Sequence, residues 1–125
     1  MLYSPQGQIV FYQEVDGECP VINFLLGEPS RAQEQAQSRI QLLAERGHQL
    51  RRPYTDSLGD GLYELRWHTR RVQYRLLYSF LGRGVAVLLH ACTKERVIRR
   101  SDLIRARERY HQFLANPTAH TKVFH

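Results

Sequence analysis

Between Tyr63 and Tyr78 the chain places residues that handle phosphate and protons at strand spacing. Glu64, Arg66 and His68 alternate with Tyr63, Leu65 and Trp67, and Gln73, Arg75, Leu77 and Ser79 alternate with Val72, Tyr74, Leu76, Tyr78 and Phe80. Side chains two apart share a face of a strand, so one face carries Arg and His while the other is apolar. A guanidinium fork binds phosphate bidentately and stacks on bases, and an imidazole exchanges protons near neutral pH. Such a face is either a cradle for RNA or the solvent side of a half-covered antiparallel sheet.

The charge pattern bears on that choice. Up to Leu50 there are three basic against six acidic residues, and from Arg51 onward fifteen against six, within a net charge of +6. Sixteen of the eighteen basic residues are Arg. The second half is therefore the part suited to a polyanion, or it is an Arg-rich solvated surface. The six His form no i,i+4 helical pair, and His90 with Cys92 is too small a set for zinc, so no metal and no cofactor are expected. No phosphate loop, nucleotide fingerprint or G-x-S-x-G elbow occurs. Cys19 and Cys92 are too few and too far apart for a disulfide framework. Met1 to Ile9 lacks the pattern of a secretory signal and no apolar run is long enough to span a bilayer, so a cytoplasmic protein without a membrane partner is expected.

At 125 residues the chain suits one domain. Gln8 to Val15, rich in β-branched and aromatic residues, reads as a strand ending at Asp16-Gly17. Pro20 fits the first turn of a short helix to Leu26, stopped by Gly27. A second helix runs from Pro29 or Ser30 to Arg46, with Ala32, Ala36, Ile40, Leu43 and Ala44 on one face and Gly47 as its stop. This helical hairpin should cover one side of a sheet. His48 to Gly61 reads as a loop. Leu62 to His68, Val72 to Phe80 and Val85 to Cys92 form an antiparallel meander. A last helix, capped by Ser101 or Thr93, carries Leu103, Ala106, Arg107, Tyr110, Phe113 and Leu114 at helical spacing to Ala115. The reading is an α+β domain over 1–115, followed by a tail, 116–125, expected to be mobile.

Four stretches then stand in order: Gly61-Leu62-Tyr63-Glu64-Leu65-Arg66, Tyr74-Arg75-Leu76-Leu77-Tyr78, Val87-Leu88-Leu89-His90-Ala91-Cys92-Thr93-Lys94 and Ile104-Arg105-Ala106. With Asp16-Gly17-Glu18-Cys19-Pro20 and Phe24-Leu25 upstream, the chain from Ile9 to Leu114 resembles the RelE/ParE toxin superfamily, most closely its phage-derived, HigB-like branch. The resemblance implies a RelE-like fold and the toxin of a type II toxin–antitoxin system, a metal-independent mRNA endonuclease that acts at the ribosome. Its partners would be mRNA, the ribosome and a cognate helix-turn-helix antitoxin. Two other functions fit the same fold: a ParE-like poison of DNA gyrase, and a non-catalytic module that holds RNA or protein.

Transfer of a phosphodiester to its own ribose 2′-OH needs positive groups on the phosphate, a base and an acid. Arg75, standing where the family's Y-R Arg stands, and Arg66 suit the first role. His68, His90, Lys94 and Tyr78 are the candidates for proton transfer. Arg51, Arg52, Arg70, Arg71, Arg96, Arg99 and Arg100 are the candidates for RNA binding. Where the family carries a second basic residue after Lys94, this chain has Glu95.

Overall fold

A computed structural model describes residues 2–4, 7–93 and 98–123. Six strands, β1 (Leu2–Ser4), β2 (Gly7–Phe11), β3 (Thr55–Gly59), β4 (Leu62–Thr69), β5 (Val72–Leu81) and β6 (Val85–Thr93), form one sheet in the order β1-β2-β6-β5-β4-β3. Helices α1 (Pro20–Leu26) and α2 (Ser30–Arg46) pack on one face, α3 (Arg100–Ala115) packs on the other, and a single-turn α4 (Pro117–His120) follows. The class is α+β, as expected. No described helix is long and apolar enough to cross a membrane.

The hairpin forms where the sequence places it. Pro20 opens α1, and the buried residues of α2 are Ala32, Ala36, Ile40, Leu43 and Ala44. They meet Leu65, Trp67, Tyr74, Leu76, Tyr78 and Leu88 on the sheet. Small alanines at the crossing let helix and sheet approach closely, and spacings of three and four keep them on one stripe.

Several features differ from the sequence reading. The sheet is mixed, because β2 runs parallel to β6 while the other pairs are antiparallel. Burial explains it: Ile9 faces the hairpin core and Val10 the α3 core, so β2 needs an interior lane with both faces covered. Within the expected loop, Thr55–Gly59 pairs with β4 as an edge strand. Its polar Asp and Ser residues suit an edge that has one open side. Finally, part of the expected tail is packed. His120 is buried, its ring stacks on Tyr12 at 5.1 Å, its Nδ1 lies 2.8 Å from the Gln13 carbonyl, and Thr121 bridges to Tyr12.

The α3 face is not the open polar surface expected. Leu62, Leu77, Val87 and Leu89 form a second core there with Ala106 and Phe113. Toward the sheet α3 turns Asp102, Ala106, Arg109 and Phe113, at spacings of four, three and four, and Leu103 and Tyr110 pack beside them, with the Tyr110 hydroxyl donating to the Phe80 carbonyl. Leu114 is 44% exposed. Neither Ser101 nor Thr93 caps the helix, since Arg99 holds that position without a side-chain bond. What remains of the polar face is a cluster beside α3.

Candidate functional site

Glu64 sits at the centre of that cluster. Alternation on β4 turns it to the α3 face between Leu62 and Arg66, and pairing with β5 sets Arg66 directly opposite Arg75. Two guanidiniums facing each other across a strand pair repel, and an anion between them relieves the repulsion. Glu64 is that anion: Arg75 Nη1 lies 3.5 Å from its Oε2 and Arg66 Nε 3.9 Å from its Oε1. The Glu64 side chain is 4% exposed, Arg75 13% and Arg66 32%. Burial pushes the Glu64 carboxyl above its ordinary range, and the pull of Arg75 and then Arg66 offsets this only in part. The trio is a buried carboxylate of raised basicity with one positive charge in excess, and the more exposed cation faces solvent.

A second cluster joins it through β6. A bulge in the β5–β6 pairing leaves Leu89 without a partner, because Leu77 pairs with His90 and Tyr78 with Leu88. The extra residue turns His90 to the α3 face, where simple alternation would set it with Leu88 against the hairpin. There Arg109 Nη1 donates to His90 Nδ1 at 2.8 Å, and His90 Nε2 lies 2.7 Å from Asp102 Oδ1. A guanidinium has only donors, so Nδ1 is the acceptor and Nε2 carries the proton that Asp102 accepts. Both ring nitrogens are engaged, and His90 acts as a strut between β6 and α3 rather than as a free base. Arg109 also donates to the Leu89 carbonyl at 3.0 Å and faces Glu14 at 3.4 Å, which fixes the bulge.

His90, Cys92 and Asp102 bring one ligand atom each within 4.8 Å of one another, a trio invisible in the sequence because Asp102 comes from another element. The set does not suit a cation. A metal on Nε2 would displace the proton there and force Nδ1 to present a hydrogen to the Arg109 donor, with Arg105 adding further positive charge.

Burial is the main cause that holds the His90 pKa below its ordinary 6.5, and Arg109 and Arg105 act in the same sense against Asp102. The unfolded chain therefore takes up this proton first: the stabilisation is present above pH 6.5 and is lost as pH falls through the lower folded value. The melting temperature of the wild type is expected to drop as pH falls below 6.5, and that of His90→Gln to drop less. Parallel slopes would place the titration elsewhere.

The other candidates divide by location. His68 is exposed two residues beyond Arg66 on the same face of β4. Arg70 and Arg71 are exposed at the tip of the β4–β5 hairpin, Arg70 with a φ of 57°. A left-handed backbone costs a non-glycine residue roughly 1–2 kcal/mol, which this turn accepts while presenting a charge. Arg99 and Arg100 are exposed at the start of α3, beside Asp102. Arg51 and Arg52 are exposed after α2, at the other side of the sheet's β3 edge. Tyr78 does not join Arg75: it lies on the hairpin face, 1% exposed, with its hydroxyl 2.6 Å from Thr55 Oγ1 and its pKa pushed up to about 12 by burial. Lys94 and Arg96 lie outside the described residues, as does Glu95.

Sequence reasoning missed three members of this neighbourhood. Glu64 entered only as a member of the polar strand face, and Asp102 and Arg109 were not considered. The i,i+7 spacing of Asp102 and Arg109, sharing a helix face with Ala106 and Phe113, is the signal that could have found the last two.

Residues 23–111 match a family model described as Phage derived protein Gp49-like (DUF891), a span that takes in every described member of both clusters except Glu14. No curated protein matches the chain.

Proposed function

The chain belongs to the phage-derived Gp49-like family, a family associated with RelE-like toxins of toxin–antitoxin systems, and from that premise we propose that it is an mRNA endonuclease that acts at the ribosome without a metal ion. The observation that carries this reading is the Glu64 carboxylate held between Arg75 and Arg66. It offers a base of raised proton affinity and two phosphate-binding forks in one place. We place the chain in the HigB-like branch on its Y-E-L-R, Y-R and L-L-H stretches, and its antitoxin is a small helix-turn-helix protein.

Chemistry follows from the charges. In the free protein Arg75 and Arg66 are partly neutralised by Glu64. An incoming phosphate presents its non-bridging oxygens to the same forks, which weakens their hold on Glu64 and raises the proton affinity of the carboxylate further. Glu64 then takes the proton of the ribose 2′-OH as that oxygen attacks the adjacent phosphorus. The P–O5′ bond breaks, and His68, whose ring is exposed beyond Arg66, gives its proton to the leaving 5′-oxygen. The products end in a 2′,3′-cyclic phosphate and a 5′-hydroxyl. Arg75 and Arg66 stabilise the charge gathering on the phosphate oxygens, the term that usually contributes most.

Induction of the chain without its antitoxin is expected to arrest growth through loss of translation, and primer extension should map breaks within translated messages. Breaks that disappear when translation is blocked support the ribosomal reading. Normal amino-acid incorporation together with defective supercoiling would replace it with gyrase poisoning.

A further inference from the structure

On the hairpin side of the β3 edge, where α2 ends, lies a cavity of about 610 Å³. Three of its walls are aromatic. The His48 ring stacks on Phe80 at 3.7 Å, and Tyr63 stands against Phe80 at 5.6 Å and 68°, so the rings form a corner with planar faces of two orientations. Tyr63 and Phe80 are only partly buried and His48 is exposed, although each sits beside a close-packed core.

Charge at the rim identifies the kind of ligand. Arg52 is paired with Asp56 at 2.9 Å, but Arg51 donates only to the backbone carbonyls of His48 and Leu50. Among the described residues no carboxylate balances Arg51. An aromatic corner beside an unbalanced guanidinium suits a flat, anionic ligand, and a nucleotide has that chemistry: a base to stack and a phosphate to pair.

The cavity is also connected to the Glu64 cluster. Asp56 pairs directly with Glu64 across β3 and β4, and its carboxyl is held below the ordinary range mainly by Arg52, with Arg66 adding to the effect. Arg52 and Asp56 thus sit at the edge strand with the aromatic corner on one side and Arg66 on the other. Glu64 is one strand spacing from that edge and Arg75 two, roughly 10 Å, within the reach of a neighbouring nucleotide.

We infer that this cavity is a second RNA subsite, which stacks the base of a nucleotide flanking the scissile phosphate on Tyr63, Phe80 and His48 and pairs its phosphate with Arg51. Single-stranded RNA would cross the β3 edge, with one phosphate on Arg75 and Arg66 and the next base turned into the corner. The path of the strand rests on the nuclease reading of Glu64; stacking in the cavity does not.

The test is a binding cycle on the full chain with a labelled 2′-O-methyl oligoribonucleotide, which binds but has no 2′-OH to react. His48→Ala and Arg51→Ala alter exposed side chains, and each should weaken binding about tenfold. An oligonucleotide with an abasic position should lose as much against the wild type and nothing further against His48→Ala, because base and ring are lost as one contact. Additive losses, or variants that bind as the wild type does, would overturn the subsite, as would a cavity that a partner protein shields and the oligonucleotide does not. Coupling in a protein that cleaves no RNA would leave the subsite standing and remove the nuclease, whereas cleavage without coupling would do the reverse.

Discussion

Arg75→Ala is expected to lower the single-turnover cleavage rate by about 10²-fold or more, the usual scale for loss of one preorganised donor to transition-state charge. Affinity for the ribosome should change little, because exposed Arg70, Arg71, Arg99, Arg100 and Arg105 share the long-range attachment. The variant has a structural cost that must be read separately. Removing Arg75 leaves the buried Glu64 facing Arg66 alone, at 3.9 Å. Breaking a buried ion pair costs about 3–5 kcal/mol, against a total stability of about 5–15 kcal/mol for an ordinary domain. A melting curve therefore accompanies the rate, and Arg75→Lys is the variant that separates the two effects. It keeps a positive charge beside Glu64, so the fold should hold, but an ammonium cannot grip two phosphate oxygens in one plane. A well-folded Arg75→Lys that cleaves far more slowly than wild type identifies the bidentate contact. A folded Arg75→Ala that cleaves at the wild-type rate once saturated would remove the residue from catalysis and move the phosphate site toward Arg66 and His68.

What the sequence made legible follows the range of the forces involved. Helix α2 and strands β4 to β6 lie within a residue or so of their expected spans, because local spacing and turn residues decide them. The lane taken by β2 depends on a partner more than seventy positions away, as Ile9 pairing with Ala86 shows. Yet Ile9, Val10, Phe11 and Tyr12 form an unbroken apolar run, which a half-covered antiparallel edge would not need, and that run is the sign of a strand buried on both faces. The bulge at Leu89 has no such sign: nothing in Val87-Leu88-Leu89-His90 announces an extra residue, and with strict alternation His90 falls on the wrong side of the sheet. Arg109 and Asp102 escaped because charged residues on an amphipathic helix read as its solvent side. They are tolerable under α3 only because each partners His90, and Arg109 also meets Glu14. Alternation did place Glu64 correctly beside Arg66, but its burial was not legible, since that depends on the neighbours that tertiary packing brings around it.

Glu64 offers the sharper test of the chemistry, because its titration can be followed in the rate itself. If its carboxylate takes the 2′-OH proton, Glu64→Gln should lower the single-turnover rate by roughly 10²–10⁴-fold, the span of general-base catalysis. The substitution keeps the shape of the side chain, and it also removes a charge that is costly to bury. Because burial raises the folded-state pKa above that of the unfolded chain, this group destabilises the fold progressively as pH rises from the unfolded value through the folded one. The Gln variant is free of that slope, although it leaves Arg66 and Arg75 facing each other without an anion between them. Its melting temperature should therefore change less with pH across the acid range than the wild type's. In the rate, a base must be ionised to act, so wild-type cleavage should rise with pH through the raised Glu64 value, and the rise should vanish in Glu64→Gln. His68→Asn, which removes the acid, should lower the rate and leave the rise through the Glu64 value in place. The two variants thus separate the base from the acid. A merely structural Glu64 would lower the rate at every pH and leave the rise in place, and that outcome would transfer the base to a group outside this cluster.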